Sequence, residues 1–565
     1  MQDDFKSIHS EVLVFIGAGA TASLKMPQTY DQTKIFRTLS DKSNADEART
    51  ELLKWFSEPD LSKIICFLNL LYGTEKSIFE ISEKDLKNAK AVYRIDDDKL
   101  LRKRILELRS EYDWNAAKKV LNICPSSIGD NDNLILDVYS IIDKKILTGQ
   151  SLKVVIDGEE EIISPSRLQA ARNFLILFVN MMFASAWHTI IAERDADLLI
   201  QFEKYKKFIN SFDRIMQKEG RIFFSNKKHA VQNRDFYLFT SSFVSFNFEM
   251  VFPWIFMMSH KELNQHAPLI NGDHPLKLWL DYGCEHRGRK TIENTVVPTL
   301  EFTESVASRE NEDGTNHVGT ELNRTGKFYF AHGSSNWREC PICGRMTFYF
   351  GYSDKKWNYK SKELIPLFPI PIFGTDKIKY LTKKETEWRK ELRYDSVQCM
   401  HCGAETKALD APMIMQTMYK STPTSFLEEI QRNVKVSLAN ARHIVLLGYR
   451  LPPDDTIWYQ SFAEAIRAKN SDNAAYCTVV VGYKGRNEWL YKDELEKYVK
   501  NNRKEDNAED YGVSAIESAW AIFGKENVRA WTGGIPQVFG SATENDVKEL
   551  LYPKDFVDWK ETRLE

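Results

Sequence analysis

The 565-residue sequence has no block of single-sign charge. Its 77 Lys+Arg stand against 80 Asp+Glu, the formal net charge is -3, and neither end carries a long tail of one sign. The bulk electrostatic footprint of a nucleic-acid binder is therefore missing, and direct nucleic-acid binding is not indicated. The opening, "MQDDFKSIHSEVLVFIGAGA", lacks a basic segment followed by a long apolar stretch, which predicts a cytoplasmic chain. Internal repeats and low-complexity tracts are absent. Long hydrophobic runs are nearly so: the longest, "FLILFVNMMFASAWHTII" at 174–191, carries Asn180, Ser185 and His188 and has no matched basic flank. A buried helix suits it better than a membrane span. Cysteine is sparse, at eight residues, and in a cytosolic setting disulfides are disfavoured.

What is present is ample for a packed protein. Apolar residues make up 43% and aromatics 12%. The length exceeds one ordinary core, so several packed units or one heavily elaborated fold is expected. "EVLVFIGAGATASLKMP" is an apolar run of strand length, a glycine turn, and small residues suited to opening a helix, as a nucleotide-binding βα unit begins. Residues 34–234 are charged and amphipathic and predict a mainly helical insertion. Within them "DDDKLLRKRILELRSEY" reads as a surface helix, Ser164-Pro165 as a helix start, and "KVVIDGEEEII" as a hairpin turning at Asp157-Gly158.

Strand character returns at "DFYLFTSSFVSFNFEMVFPW" (235–254), followed by a polar, turn-rich loop at 304–326 and by "KFYFAHG". A helix around "TSFLEEIQRNVKVSLANA" precedes "HIVLLGYRLPPDD", a strand ending in a second glycine turn. "CTVVVGYKG" repeats that form, and "VRAWTGGIPQVFG" supplies a last strand. This alternation predicts an α/β fold, a Rossmann-like parallel sheet with ligand at the strand carboxyl ends. The chain then divides into 1–33 as the first part of the sheet domain, 34–234 as the insertion, and 235–339 as the return to the sheet. Residues 340–410 form a zinc-binding module, and 411–565 the remainder of the sheet domain with a C-terminal extension.

Two features carry chemistry by residue type and spacing. "GAGATAS" has Ala22 at the third glycine position of a dehydrogenase fingerprint and lacks the Lys-Ser/Thr of a phosphate-binding nucleotidase loop. Gly17 and Gly19 still permit close backbone approach to a pyrophosphate, so nucleotide binding and a tight structural turn both remain open. Cys340-x-x-Cys343 and Cys399-x-x-Cys402 supply two thiolate pairs, enough to close a tetrahedral structural Zn2+ site across a long internal insertion. Four thiolates leave no open position for water. His401, between the last two cysteines, reads as a bystander, and Cys66, Cys124, Cys284 and Cys477 as buried small hydrophobes. His332 follows an apolar run and precedes Gly333, a placement at a strand end facing a cleft, and Asn247 in "SFNFE" is placed similarly.

Taken in order, these segments resemble the sirtuin family of NAD-consuming enzymes. "GAGATASLKMP" (17–27) is similar to that family's Gly-Ala-Gly-x-Ser-x-x-x-Gly-x-Pro opening, with Thr21 for the serine and Lys25 for the third glycine. "SFNFE" looks like its Thr-Gln-Asn-Ile-Asp segment, "HGSSNWRECPIC" like its His-Gly before the first zinc pair, and "VLLGYRLPPDD" like its second glycine turn. The resemblance covers roughly 150 residues and implies a sirtuin-type NAD-binding domain. NAD would be bound by Gly17, Ala18, Gly19, Ala20 and Thr21, by Ser245 and Phe246, and by Gly448, Tyr449 and Asp455. Asn247 would hold a water or a ribose hydroxyl, and His332 would act as general base.

Gln28, Thr29 and Tyr30 replace the Asp-Phe-Arg of a deacylase, and "APMIMQTMYKSTP" stands where a deacylase has Phe-Gly-Glu. Both departures weaken the match to a deacylase, whereas "SFNFE" and "GYRLPPDD" look closer to the divergent sirtuin-like domains of bacterial antiphage defence, a branch that the long helical insertion also fits. The implied activity is an NAD glycohydrolase that releases nicotinamide and ADP-ribose and acts through NAD depletion and abortive infection. The resemblance further implies a homo-oligomer and a second defence protein, such as a translocase ATPase or an Argonaute-like protein. A deacylase, an ADP-ribosyltransferase, and a non-catalytic NAD or ADP-ribose sensor are the alternatives.

Overall fold

A computed structural model describes residues 11–27, 29–40, 50–56, scattered positions from 61 to 90, 95–124, 134–156, 158–191, 196–226, 241–266, 269–270, 274–292, 295–301, 309–310, 316–317, 322–349, 381–415, 424–452, 455–469, 474–482, 487–503, 511–535, 543–554 and 556–557. Gln28, Cys66, Asp157 and most of the loop expected at 304–326 lie outside the described residues.

Nine described strands make the main sheet. Their spatial order is Trp489–Tyr491, Val528–Trp531, Tyr476–Val480, His443–Leu447, Val12–Ile16, Ser241–Ser245, Leu322–Phe330, His274–Asp281 and Leu269–Ile270. The outermost strand on each side pairs antiparallel and every other pairing is parallel, as the alternation of strands and helices requires. Val12–Ile16 is buried at every residue, the pattern of a central strand covered on both faces. It pairs with Ser241–Ser245 on one side and His443–Leu447 on the other. The carboxyl end of Val12–Ile16 is thus a topological switch point, the place where open α/β sheets leave a crevice.

Three readings of the sequence change. The residues after Gly17 do not open an α-helix: two 3-10 turns, Ala18–Ala20 and Ala22–Leu24, come first, and the helix begins at Thr29. Strand character stops at Ser245, and Val251–Gln265 is a helix. The Glu249 carboxylate accepts from Val251 N at 2.7 Å, satisfying one of the orphan donors of that helix's first turn, while Pro253 sits early enough to be tolerated. The strand leading to His332 starts at Leu322, inside the stretch read as loop.

The helices Asp98–Glu111, Trp114–Ile123, Leu134–Leu147 and Pro165–Ile191 pack on one another, and the hairpin of Leu152–Ile156 and Glu159–Ile163 lies against Trp114–Ile123. Pro165–Ile191 is long and apolar enough to cross a membrane, but 83% of its apolar stretch is buried inside the protein. It is packed as a core helix, lined by Leu168, Phe174, Leu175 and Phe178.

Asp98–Glu111 is more than the surface helix its charge suggested. Its Arg104 is 1% exposed, and Arg104 Nη2 donates to Asp395 Oδ1 at 2.5 Å. Lys407 pairs with Glu111 beside it. The helical region is clamped in this way to the cysteine-bearing module. Removing one member of a buried ion pair leaves the other charge uncompensated and costs about 3–5 kcal/mol. Arg104→Met strands Asp395, which is 0% exposed, and a loss of stability of that order is expected in denaturant unfolding.

Candidate functional site

Four thiols converge on two matched hairpin turns. Cys340 and Cys343 lie between the strands Trp337–Glu339 and Met346–Phe348, and Cys399 and Cys402 between Ser396–Gln398 and Glu405–Lys407. Each turn closes the same way: Gly344 N donates to Cys340 O and Gly403 N to Cys399 O, both at 2.9 Å, with both glycines at positive φ. The sulfur atoms all lie within 4.8 Å of one another, Cys340 to Cys402 at 3.4 Å and Cys343 to Cys399 at 3.8 Å. A tetrahedral ion with Zn–S bonds of about 2.3 Å sets its sulfurs about 3.8 Å apart, so the four ligands fit such an ion.

Backbone N–H groups already point at the ligand atoms. Ile342 N donates to Cys340 Sγ and His401 N to Cys399 Sγ, each at 3.4 Å, the outer contacts that favour thiolate over thiol. Burial pushes the Cys343 thiol up to about 12, and the neighbouring sulfurs add to it, so a bound cation must displace protons. His401 turns away, its Nε2 lying 2.8 Å from Met346 O. The cluster can hold a metal ion such as zinc, with no position left for a reacting water. The module also recruits His286–Ile292 and Thr295–Glu301 as two further strands beside Met346–Phe348. Cys124, Cys284 and Cys477 are buried and remote from it in sequence.

At the switch point, the two glycine turns interlock. Gly17 N donates to Leu447 O at 3.0 Å and Gly19 N to Gly448 O at 3.1 Å. A Cβ on Gly17 would stand 2.5 Å from Gly448 O, and one on Gly448, whose φ is +58°, would stand 2.1 Å from Ala20 N. Ala20 N and Thr21 N bond within the loop, and Ala18 and Gly19 are exposed at its crest. Fewer of these amides are turned outward than a phosphate-cradling loop would offer. Tyr205, from the helix Ala196–Asn226, donates to Ala20 O and also meets Ser23 Oγ, tying the loop to that helix.

The next strand, Ser241–Ser245, delivers Asn247 to the same end of the sheet. Asn247 Nδ2 donates to Gly17 O at 3.1 Å and to Glu249 Oε1 at 2.9 Å, while Asn247 N donates to Ser245 Oγ at 3.1 Å. Thr21 Oγ1 also donates to Glu249 Oε1, at 3.2 Å. Glu249 is thus the hub of the polar cluster: its two oxygens gather the glycine loop, the asparagine and a helix start. Burial holds its carboxyl above the usual range, against the pull of those donors. Sequence reasoning passed over Glu249. An acid two residues after a strand-end asparagine was the available signal.

The third strand, Leu322–Phe330, brings His332, which is 1% exposed. Its Nε2 lies 3.6 Å from Asp455 Oδ2, and Tyr449 OH reaches the same oxygen at 3.5 Å. The Phe246 ring touches both His332 and Tyr449, with centroids 4.9 and 4.4 Å away. Gly333 is held at φ +81° against Pro412, whose carbonyl oxygen occupies the space a Cβ would need, and Ile414 N donates to His332 O. The segment leaving the cysteine module therefore fixes the backbone of His332.

A cavity of about 70 Å³ opens among these elements. Of the residues singled out in the sequence, Gly17, Ala18, Thr21, Phe246, Asn247 and Tyr449 line it. His332, Asp455, Ser245, Gly19, Ala20 and Gly448 stand behind that lining. No protein-family model matches the chain, and no curated protein matches it either.

Two substitutions separate the halves of this site. Cys340→Ser is expected to lose bound metal and to lower the thermal midpoint, whereas His332→Ala retains stoichiometric metal, as read by elemental analysis. Gly448→Ala forces a side chain into the backbone of the neighbouring turn at a left-handed φ. Its cost is expected to exceed the roughly 1 kcal/mol of an ordinary glycine substitution, measured as a lowered unfolding midpoint.

Proposed function

We propose that the cleft at the switch point binds NAD and that the protein is an NAD glycohydrolase built on a sirtuin-type NAD-binding domain. The observation that carries this reading is convergence. Neighbouring parallel strands end in the Gly17 turn, in Asn247 and in His332, and the second glycine turn brings Tyr449 and Asp455 to the same place. A conformational detail supports the resemblance: Lys25, aligned with a family glycine, has φ 55° and ψ 30°, the left-handed region that glycine enters freely and lysine rarely.

On this reading the N-glycosidic bond to nicotinamide breaks through an oxocarbenium-like transition state, and departure neutralises the pyridinium charge. Asn247 is held from two sides, its Nδ2 protons going to Gly17 O and Glu249, so its Oδ1 is left as a fixed neutral acceptor toward a water or ribose hydroxyl. His332 serves as general base toward that oxygen, with Asp455 beside its Nε2 to orient the ring. Phe246 and Tyr449 are the aromatic surfaces at hand, with the Phe246 ring packed on His332. The four cysteines would hold zinc as a structural ion, outside the chemistry of the cleft. The acyl-lysine segments of deacylases are replaced, which favours water as acceptor. A role in defence through NAD depletion, with a homo-oligomer and a second protein, follows from the same resemblance.

The test is incubation of the full chain with NAD, with and without nucleic acid, following nicotinamide and ADP-ribose by chromatography. Turnover is expected, and His332→Ala and Asn247→Ala are each expected to lower it, the first by about a hundred- to ten-thousandfold. Undiminished cleavage by His332→Ala would remove His332 from the mechanism, and absence of product under every condition would leave a binding protein rather than an enzyme.

A further inference from the structure

One wall of the cleft comes from the helical region, outside every segment that carries the family resemblance. Gln32 is contributed by Thr29–Ser40, Ile135, Leu136 and Tyr139 by Leu134–Leu147, and Phe183 by Pro165–Ile191. Four of these are apolar or aromatic in a cleft whose sheet side carries Thr21, Asn247 and Glu249. Tyr139 differs from its neighbours in having a polar atom to satisfy. It is 0% exposed, and its hydroxyl has no hydrogen-bond partner among the described residues. Buried polar atoms are nearly always matched, so an unmatched one lining a crevice calls for an explanation.

Nothing about the helix itself requires a tyrosine here. Helix packing against Pro165–Ile191 would be served by phenylalanine, which brings the same ring without an unmatched group. The nearest charged groups leave the hydroxyl unclaimed. Arg172 and Asp143 act on it electrostatically, yet Arg172 Nε donates to Asp143 at 2.5 Å and Arg172 Nη2 is itself buried without a partner among the described residues. Two hydrogen-bonding groups of the helical region therefore stand unmatched at or behind one wall of the cleft. The cavity, at about 70 Å³, is also smaller than the roughly 300–1,000 Å³ of sites that enclose a small molecule.

We propose that the helical region forms a ligand-contacting wall of the NAD site and that the Tyr139 hydroxyl is its polar contact, exchanging a hydrogen bond with the dinucleotide. This rests on the NAD reading of the cleft. A phenolic hydroxyl donates and accepts, so it suits a ribose hydroxyl or a carboxamide equally. The flanking Ile135, Leu136 and Phe183 make the rest of that wall apolar, so it gives one directional contact and otherwise excludes water from the bound ligand. The insertion is then part of the binding site rather than an appendage to it.

Tyr139→Phe in the full chain keeps the ring and deletes only the hydroxyl. The expected result is a thermal midpoint equal to or above wild type, because an unmatched buried group has gone, with a KM for NAD raised about 2- to 12-fold and a smaller change in kcat. Dissociation constants for ADP-ribose, measured by calorimetry on both proteins, provide a readout independent of turnover. A lowered midpoint with unchanged KM marks a purely structural hydroxyl and overturns the proposal, as does an unchanged KM alone. A wild-type protein that neither cleaves NAD nor binds ADP-ribose removes the NAD reading and this inference together. A wild type that does both, matched in every constant by Tyr139→Phe, removes only the role of Tyr139.

Discussion

The close approach of two glycine turns is the constraint on which the site depends. Gly17 and Gly448 end adjacent parallel strands, and the turn after each fills the space where the other would need a Cβ: Gly448 O and Tyr449 stand against Gly17, and Gly19 and Ala20 against Gly448. Backbone hydrogen bonds run directly from one turn to the other, so the register of Val12–Ile16 against His443–Leu447 is fixed at the end where ligand would bind. The carbonyl of Gly17 accepts from Ala20 N and from the Asn247 amide, and Asn247 in turn shares Glu249 with Thr21. A side chain on either glycine would push apart the parts that position every polar group in the cleft.

The cysteine module acts on the same place from the other side. Its two turns share one geometry, and the chain leaving it passes Asp410 and Pro412 before lying along His332 and Gly333. Arg104 with Asp395, and Lys407 with Glu111, join the module to the helical region. Tyr205 joins that region to the glycine loop. Sheet, module and helices thus form a closed ring of contacts around the cleft, and each of the three supplies at least one residue to its lining or to the layer immediately behind.

Much of this was legible in the sequence, and the reasons differ by element. Val12–Ile16, His443–Leu447 and Tyr476–Val480 are apolar runs of strand length cut off by glycine or polar residues, the clearest signal a parallel sheet gives. Cys340, Cys343, Cys399 and Cys402 were legible because metal-ligand spacing is local within each pair. The helix at Val251 was hidden because its apolar residues continue those of the preceding strand, and only the Glu249 cap marks the break. Arg104 was hidden for the opposite reason: its helix looks solvated, and the partner that buries it lies almost three hundred residues on. Glu249 and Tyr139 could not have been found by periodicity, since what singles them out is a hydrogen-bond count that exists only in three dimensions.

The pairing of Val12–Ile16 has a consequence for how the chain is made. That strand emerges first, yet its two partners are Ser241–Ser245 and His443–Leu447, and nothing nearer in sequence pairs with it among the described residues. During synthesis the centre of the sheet stays open until the chain has passed residue 447, while the helices Trp114–Ile123, Leu134–Leu147 and Pro165–Ile191, which pack on one another, can already assemble. A fully apolar strand waits for its first partner until residue 245 has been made and for its second until residue 447. The segment buried at the centre of the finished sheet is an aggregation hazard while it waits, and truncations that end between residues 245 and 443 leave one of its edges without a partner.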